Sequence, residues 1–99
     1  MKLKILRSAV DDLHQGRVFY EKQGKDVGEY FFDSLFSDID SLYLYAGIHV
    51  QVFGYYRLLS KRFPYAVYYT LEDDVVVVHR VLDLRRHPHR IRQALRGSQ

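Results

Sequence analysis

Arginine is the side chain with which this chain could do chemistry. Arg57, Lys61 and Arg62 are interleaved with Tyr55, Tyr56, Tyr65, Tyr68 and Tyr69, and Arg80, Arg85 and Arg86 follow along the next apolar run. A guanidinium is planar and permanently charged, and it meets a phosphate or a carboxylate with two parallel hydrogen bonds. Held at the end of a rigid strand, such groups could grip an anionic partner or steady charge developing on a phosphoryl group. His87, directly after Arg85 and Arg86, adds a candidate general acid.

The distribution of charge points the same way. The formal net charge is only +3, but residues 1–56 carry six basic and eight acidic side chains, while residues 57–99 carry nine basic and four acidic. The first part is thus at −2 and the second at +5, with Lys61 the single lysine of the second part. A basic half of this kind implies an anionic partner. The plainer alternative is a solvated surface that keeps a small protein dispersed.

Other chemistries find little support. There is no cysteine, hence no disulfide and no thiolate metal site. His87 and His89 flank Pro88, but with Asp83 as the only local carboxylate they make a poor ligand set, so neither a metal nor a cofactor is expected. No glycine-rich phosphate loop, Ser/His/Asp arrangement or metalloprotease motif is present. His79 reads as facing a sheet surface, and His14 and His49 have no evident partner. The strand tyrosines could stack bases beside phosphate-binding arginines, although tyrosines so placed more often pack a core with their hydroxyls toward water.

The elements that must position these residues follow from periodicity. Lys2 to Arg7 alternates as a half-buried strand. Ser8 followed by Asp11 reads as a capping box opening a helix through about Gln23, with Ala9, Leu13, Gly16 and Tyr20 along one face. Asp26 and Glu29 read as a second cap, and Val27, Phe31, Leu35, Ile39, Leu42 and Ala46 recur every three or four residues until Gly47, giving a helical hairpin. Val50 to Arg62 is a strand, or two strands broken near Gly54. Tyr65–Leu71 and Val75–Leu82 are hairpin partners around Glu72-Asp73-Asp74, and the unbroken apolar run Val75–Val78 marks a central strand. Pro88 opens a short final helix, His89 to Arg96, before a fraying Gly97-Ser98-Gln99. The order is β-α-α-β-β-β-α: an α+β fold with a helical hairpin on a mainly antiparallel sheet. Its expected core holds Leu13, Phe31, Leu35, Ile39, Leu42, Val67 and Val77. At 99 residues the chain suits one domain, 1–99.

This block, the hairpin ending in Arg85-Arg86-His87-Pro88 with two helices before it, resembles the RelE/ParE superfamily of toxins from type II toxin–antitoxin systems. The resemblance runs from Ile5 to about Leu95. It implies a growth-inhibiting toxin neutralised by a cognate antitoxin, a small protein whose acidic segment would fold across the basic half. Members that cleave messenger RNA on the ribosome use basic residues on the central strands and the C-terminal segment, and Arg57, Lys61, Arg85 and His87 are the matching candidates here. Two departures count against that activity. Ala66 stands where those members commonly carry an arginine, and Ile91 stands where some carry a tyrosine. ParE-like members lack the nuclease set and inhibit DNA gyrase. The resemblance therefore favours a non-enzymatic gyrase inhibitor, with Arg57, Arg80, Arg85 and Arg86 as target-binding residues, and leaves a metal-independent endoribonuclease as the alternative. The alternating N-terminus lacks a signal-peptide apolar region, and no stretch approaches the ~20 apolar residues of a membrane span, so a cytoplasmic protein with no membrane partner is expected.

Overall fold

The computed structural model describes residues 1–97, in the order β1 (Lys2–Ile5), α1 (Arg7–Glu21), α2 (Val27–Asp40), α3 (Leu42–Tyr45), β2 (Gln51–Val52), β3 (Tyr55–Leu59), β4 (Tyr65–Glu72), β5 (Val75–Asp83) and α4 (Pro88–Arg96). The strands form one five-stranded sheet in the order β1-β5-β4-β3-β2, in which only the β1–β5 pair is parallel. β5, with its valine run, is interior to the sheet as expected. Ser98 and Gln99, where fraying is expected, lie outside the described residues.

Helices cover the two faces unequally. The α1–α2 hairpin packs on one face, where Ala9, Leu13, Phe31, Leu35, Ile39 and Leu42 meet Tyr65, Val67, Tyr69, Val76, Val78 and Val81. All seven expected core residues are buried. The two helices approach closely because Gly16 faces Phe31 and Gly28 faces the Arg17 carbonyl. A Cβ at either glycine would come within 2.5 Å of its neighbour. On the other face α4 alone covers a smaller core of Tyr55, Ala66, Tyr68, Leu82, Ile91 and Leu95.

Local details depart from the expected caps. Ser8 does not open a capping box; Leu6 precedes α1 without a side-chain cap, and the Ser8 hydroxyl donates instead to the His79 carbonyl at 2.7 Å. Asp26 caps nothing with its side chain and has φ of 68°. Glu21, at the end of α1, reaches across the turn to accept the backbone N–H groups of Asp26 at 3.2 Å and Gly28 at 3.0 Å. The expected long second helix is interrupted at Ser41, whose hydroxyl donates back to the Asp38 carbonyl, so α3 is a separate short turn. Val50–Arg62 is indeed two strands: β2 and β3 form a tight hairpin through Phe53 and Gly54, both at positive φ, 55° and 84°. In the β4–β5 ladder the register slips between Tyr68 and Tyr69, leaving His79 as the extra residue of a bulge.

Candidate functional site

β5 determines where the arginines go. Its side chains alternate between the two faces, and β1 accompanies it only as far as Val78. Beyond that point the strand edge would be bare, and Asp12 of α1 fills it. The Asp12 carboxylate accepts the Val81 backbone N–H at 3.0 Å and the Arg80 guanidinium twice, at 2.7 and 2.8 Å. Arg80 also donates to the Ala94 carbonyl of α4 at 3.0 Å. Hydrogen bonding to Asp12 raises the Arg80 pKa, outweighing the opposing effect of burial. Arg80 was expected to meet a target. Only 19% of its side chain is accessible, and its donors join α1 to α4 at the sheet edge.

Arg85 and Arg86 emerge past the end of β5, and both are exposed. The Arg85 guanidinium grips Asp83 through Nε at 2.9 Å and Nη2 at 2.7 Å, while its backbone N–H donates to the same carboxylate at 2.9 Å. Burial pushes the Asp83 carboxyl up, but the hydrogen bonds from Arg85 and the charges of Arg85 and Arg86 outweigh it and hold the carboxyl below its ordinary value. This anchoring aims Arg85 toward α1, with Nη2 3.4 Å from the Tyr20 hydroxyl and the guanidinium 5.9 Å from the Phe19 ring centre. Burial and the negative charge of Asp83 push the Tyr65 phenol just beneath up to about 12, so it stays neutral.

The loop between β3 and β4 reaches the same end of the molecule. Phe63 inserts among Tyr20, Tyr30 and Phe31, with ring centres 4.9, 5.4 and 5.1 Å away, and carries Arg62 to within 6.0 Å of the Tyr30 ring. Arg62, Arg85 and Arg86 therefore rim one sheet end alongside the exposed rings of Phe19 and Tyr30. Between α1 and β5 this end opens into a cleft of about 210 Å³ lined by residues that include Phe19, Tyr65, Asp83 and Arg86. Arg62 is the member that sequence reading left out of its site. The signal was Phe63-Pro64, which anchors the loop and so fixes the residue before it.

The nuclease candidates do not come together. Arg57 lies opposite Tyr68 on β4, on the α4 face, with its Nε enclosed and without a hydrogen-bond partner among the described residues. Arg85 is held against α1, on the hairpin side. Lys61 is exposed in the loop. His87 caps α4, its Nδ1 accepting the His89 backbone N–H at 3.1 Å, which leaves only Nε2 available for other work. Ala66 and Ile91 are 0% and 5% accessible and belong to one small core under α4.

No protein-family model matches the sequence, and no curated protein does. Among solved structures, the chain superposes on one from the chromosomal ParDE TA system from P. aeruginosa with a TM-score of 0.77, covering 85% of this chain and 96% of that one at 20% identity. This chain shares the fold of that structure. No helix among the described residues is long and apolar enough to cross a membrane.

Proposed function

We propose that this chain is the toxin of a type II toxin–antitoxin pair and that it acts as ParE-like toxins do, by binding DNA gyrase rather than by cutting RNA. One observation carries the choice between the two activities. The positions at which ribonucleases of the resembling superfamily commonly carry an arginine and some carry a tyrosine hold Ala66 and Ile91, both packed under α4, and Arg57 and Arg85 lie on opposite sides of the sheet. A cradle for a phosphoryl transition state needs its cations converging on one point, and each missing contact costs about 3 kcal/mol or more. The arginine-rimmed end near Phe19 and Tyr30 has instead the character of a protein-binding surface, where Arg and aromatic residues supply most of the affinity.

A cognate antitoxin is part of the same reading. The segment from Tyr43 to Val50 exposes Tyr43, Leu44, Tyr45, Ile48 and Val50, with Leu44 80% and Ile48 73% accessible, and a contiguous apolar run of this kind is what a partner covers. The test is to assay the purified protein against gyrase supercoiling and against messages on translating ribosomes. Inhibition of supercoiling with intact messages is the expected result. Efficient ribosome-dependent cleavage with normal supercoiling would replace the proposal by the ribonuclease alternative.

A further inference from the structure

A second cleft, of about 280 Å³, lies on the opposite side of the sheet between the β2–β3 turn and α4, lined by Phe53, Tyr55, Arg92, Leu95 and Arg96. Its chemistry is unlike that of the first. Arg92 and Arg96 stand one helical turn apart on α4, both exposed, and no acidic residue occurs anywhere from Leu84 to Gly97. Among the described residues neither arginine has a carboxylate partner. The Arg92 guanidinium lies 5.9 Å from the Phe53 ring centre. Across the floor the Tyr55 hydroxyl donates to the Leu95 carbonyl at 3.2 Å, which holds the helix against the strand.

Phe53 is the residue that needs explaining. It sits at φ 55°, a left-handed conformation that glycine or asparagine adopts cheaply in a two-residue hairpin and that a bulky residue adopts at a cost. The residue keeps 44% of its surface accessible, so part of the ring is open to a partner. A strained, partly exposed aromatic beside two guanidiniums that have no carboxylate partner among the described residues is the arrangement that takes a planar base against the ring and its phosphate against the arginines. A cation alone would serve a carboxylate equally well; the ring is what favours a base. The volume lies just below the usual range for ligand sites, which limits an occupant to about one nucleotide unit.

We propose that this cleft binds a single nucleotide unit, as a free nucleoside monophosphate or within a single strand, with Phe53 stacking the base and Arg92 and Arg96 holding the phosphate. No bond is made or broken there. The site lies on the other face from the Arg85–Arg86 end, so it stands or falls separately from the gyrase reading.

The test is titration of the isotope-labelled full chain with adenosine 5′-monophosphate, adenosine and inorganic phosphate, followed by amide chemical shifts. The monophosphate should saturate shifts at Phe53, Gly54, Arg92 and Arg96, and bind about tenfold or more tighter than adenosine or phosphate alone. Phe53→Gly is the informative variant, because glycine suits the turn and the fold is kept while the stacking ring is removed. It should weaken binding about tenfold, and Arg92→Ala with Arg96→Ala should do the same. Phosphate binding as tightly as the nucleotide, an undiminished affinity in Phe53→Gly, or shifts that map elsewhere would each overturn the proposal. So would an acidic peptide that displaces the nucleotide and binds with the same dependence on Arg92 and Arg96 but none on Phe53.

Discussion

Asp12 shows how one side chain can settle the role of another. Because β1 stops pairing at Val78, the Val81 N–H would be left without a partner at a half-buried edge and the Arg80 guanidinium without its counter-charge, and one carboxylate serves both. Asp12→Ala should therefore destabilise by about 3 kcal/mol, since it removes the counter-charge of a partly buried cation and leaves the Val81 amide unsatisfied. Asp12→Asn, which keeps an acceptor oxygen, should cost clearly less. Chemical denaturation of the two variants checks this, and equal midpoints would mean that the Arg80 contact is dispensable. The surface pair Arg85–Asp83 is a different case, because 53% of the Arg85 side chain is accessible. Arg85→Ala with Arg86→Ala should move the unfolding free energy by no more than about 1 kcal/mol. The same double variant should abolish growth arrest at matched expression, because these guanidiniums rim the proposed target surface. Full toxicity would shift attention from that end of the sheet to the exposed Tyr43–Val50 run.

At the level of elements, the hairpin tests how helix ends are held. Glu21 caps α2 from the end of α1, so Glu21→Ala should cost about 1 kcal/mol, as for loss of an N-cap. Asp26→Gly should cost nothing or stabilise slightly, because Asp26 sits at positive φ and makes no side-chain cap bond. Thermal unfolding of the two variants separates them, and a larger loss in Asp26→Gly would restore the local cap. The apolar spacing of Phe31, Leu35 and Ile39 was legible because burial follows helical period directly. Caps were not, since Ser8, Asp11, Asp26 and Glu29 have the right local spacing, whereas the actual acceptor depends on how the chain turns between helices. Asp12 escaped notice for a related reason: it falls within the Ala9–Leu13–Gly16 stripe, where an acid reads as a defect until its partner 68 residues away is known. His49 belongs to this scale too, tying the α3–β2 connection to the Tyr69 hydroxyl. Burial lowers its pKa from 6.5, so the unfolded chain takes up a proton that the folded chain resists. Stability should be full above that value and fall as pH drops through it toward the lower folded value. A His49→Gln variant should lose part of this acid sensitivity in melts recorded at pH ~8 and ~5.5.

The whole molecule is a sheet with two cores of unequal size, and this asymmetry predicts how it opens. The hairpin side joins both helices to four strands through rings and aliphatic chains, while α4 is fixed chiefly by Ile91 and Leu95 and by the Arg80 and Tyr55 bonds to its carbonyls. Leu35 is wholly buried in the larger core, so Leu35→Ala should cost about 2–5 kcal/mol and lower amide protection throughout the described fold. Ile91→Ala removes a similar volume, but its effect is bounded by the free energy with which α4 docks. Once that is exhausted the helix leaves and the rest of the sheet stays folded. Native-state hydrogen exchange should then show the loss in Ile91→Ala confined to α4 and to β4 residues such as Ala66 and Tyr68, with the α1–α2 hairpin unchanged. A uniform loss in both variants would mean that the two cores unfold as one unit. It would also mean that the Ala66 surface, on which the choice between gyrase binding and RNA cleavage turns, is never uncovered short of global unfolding.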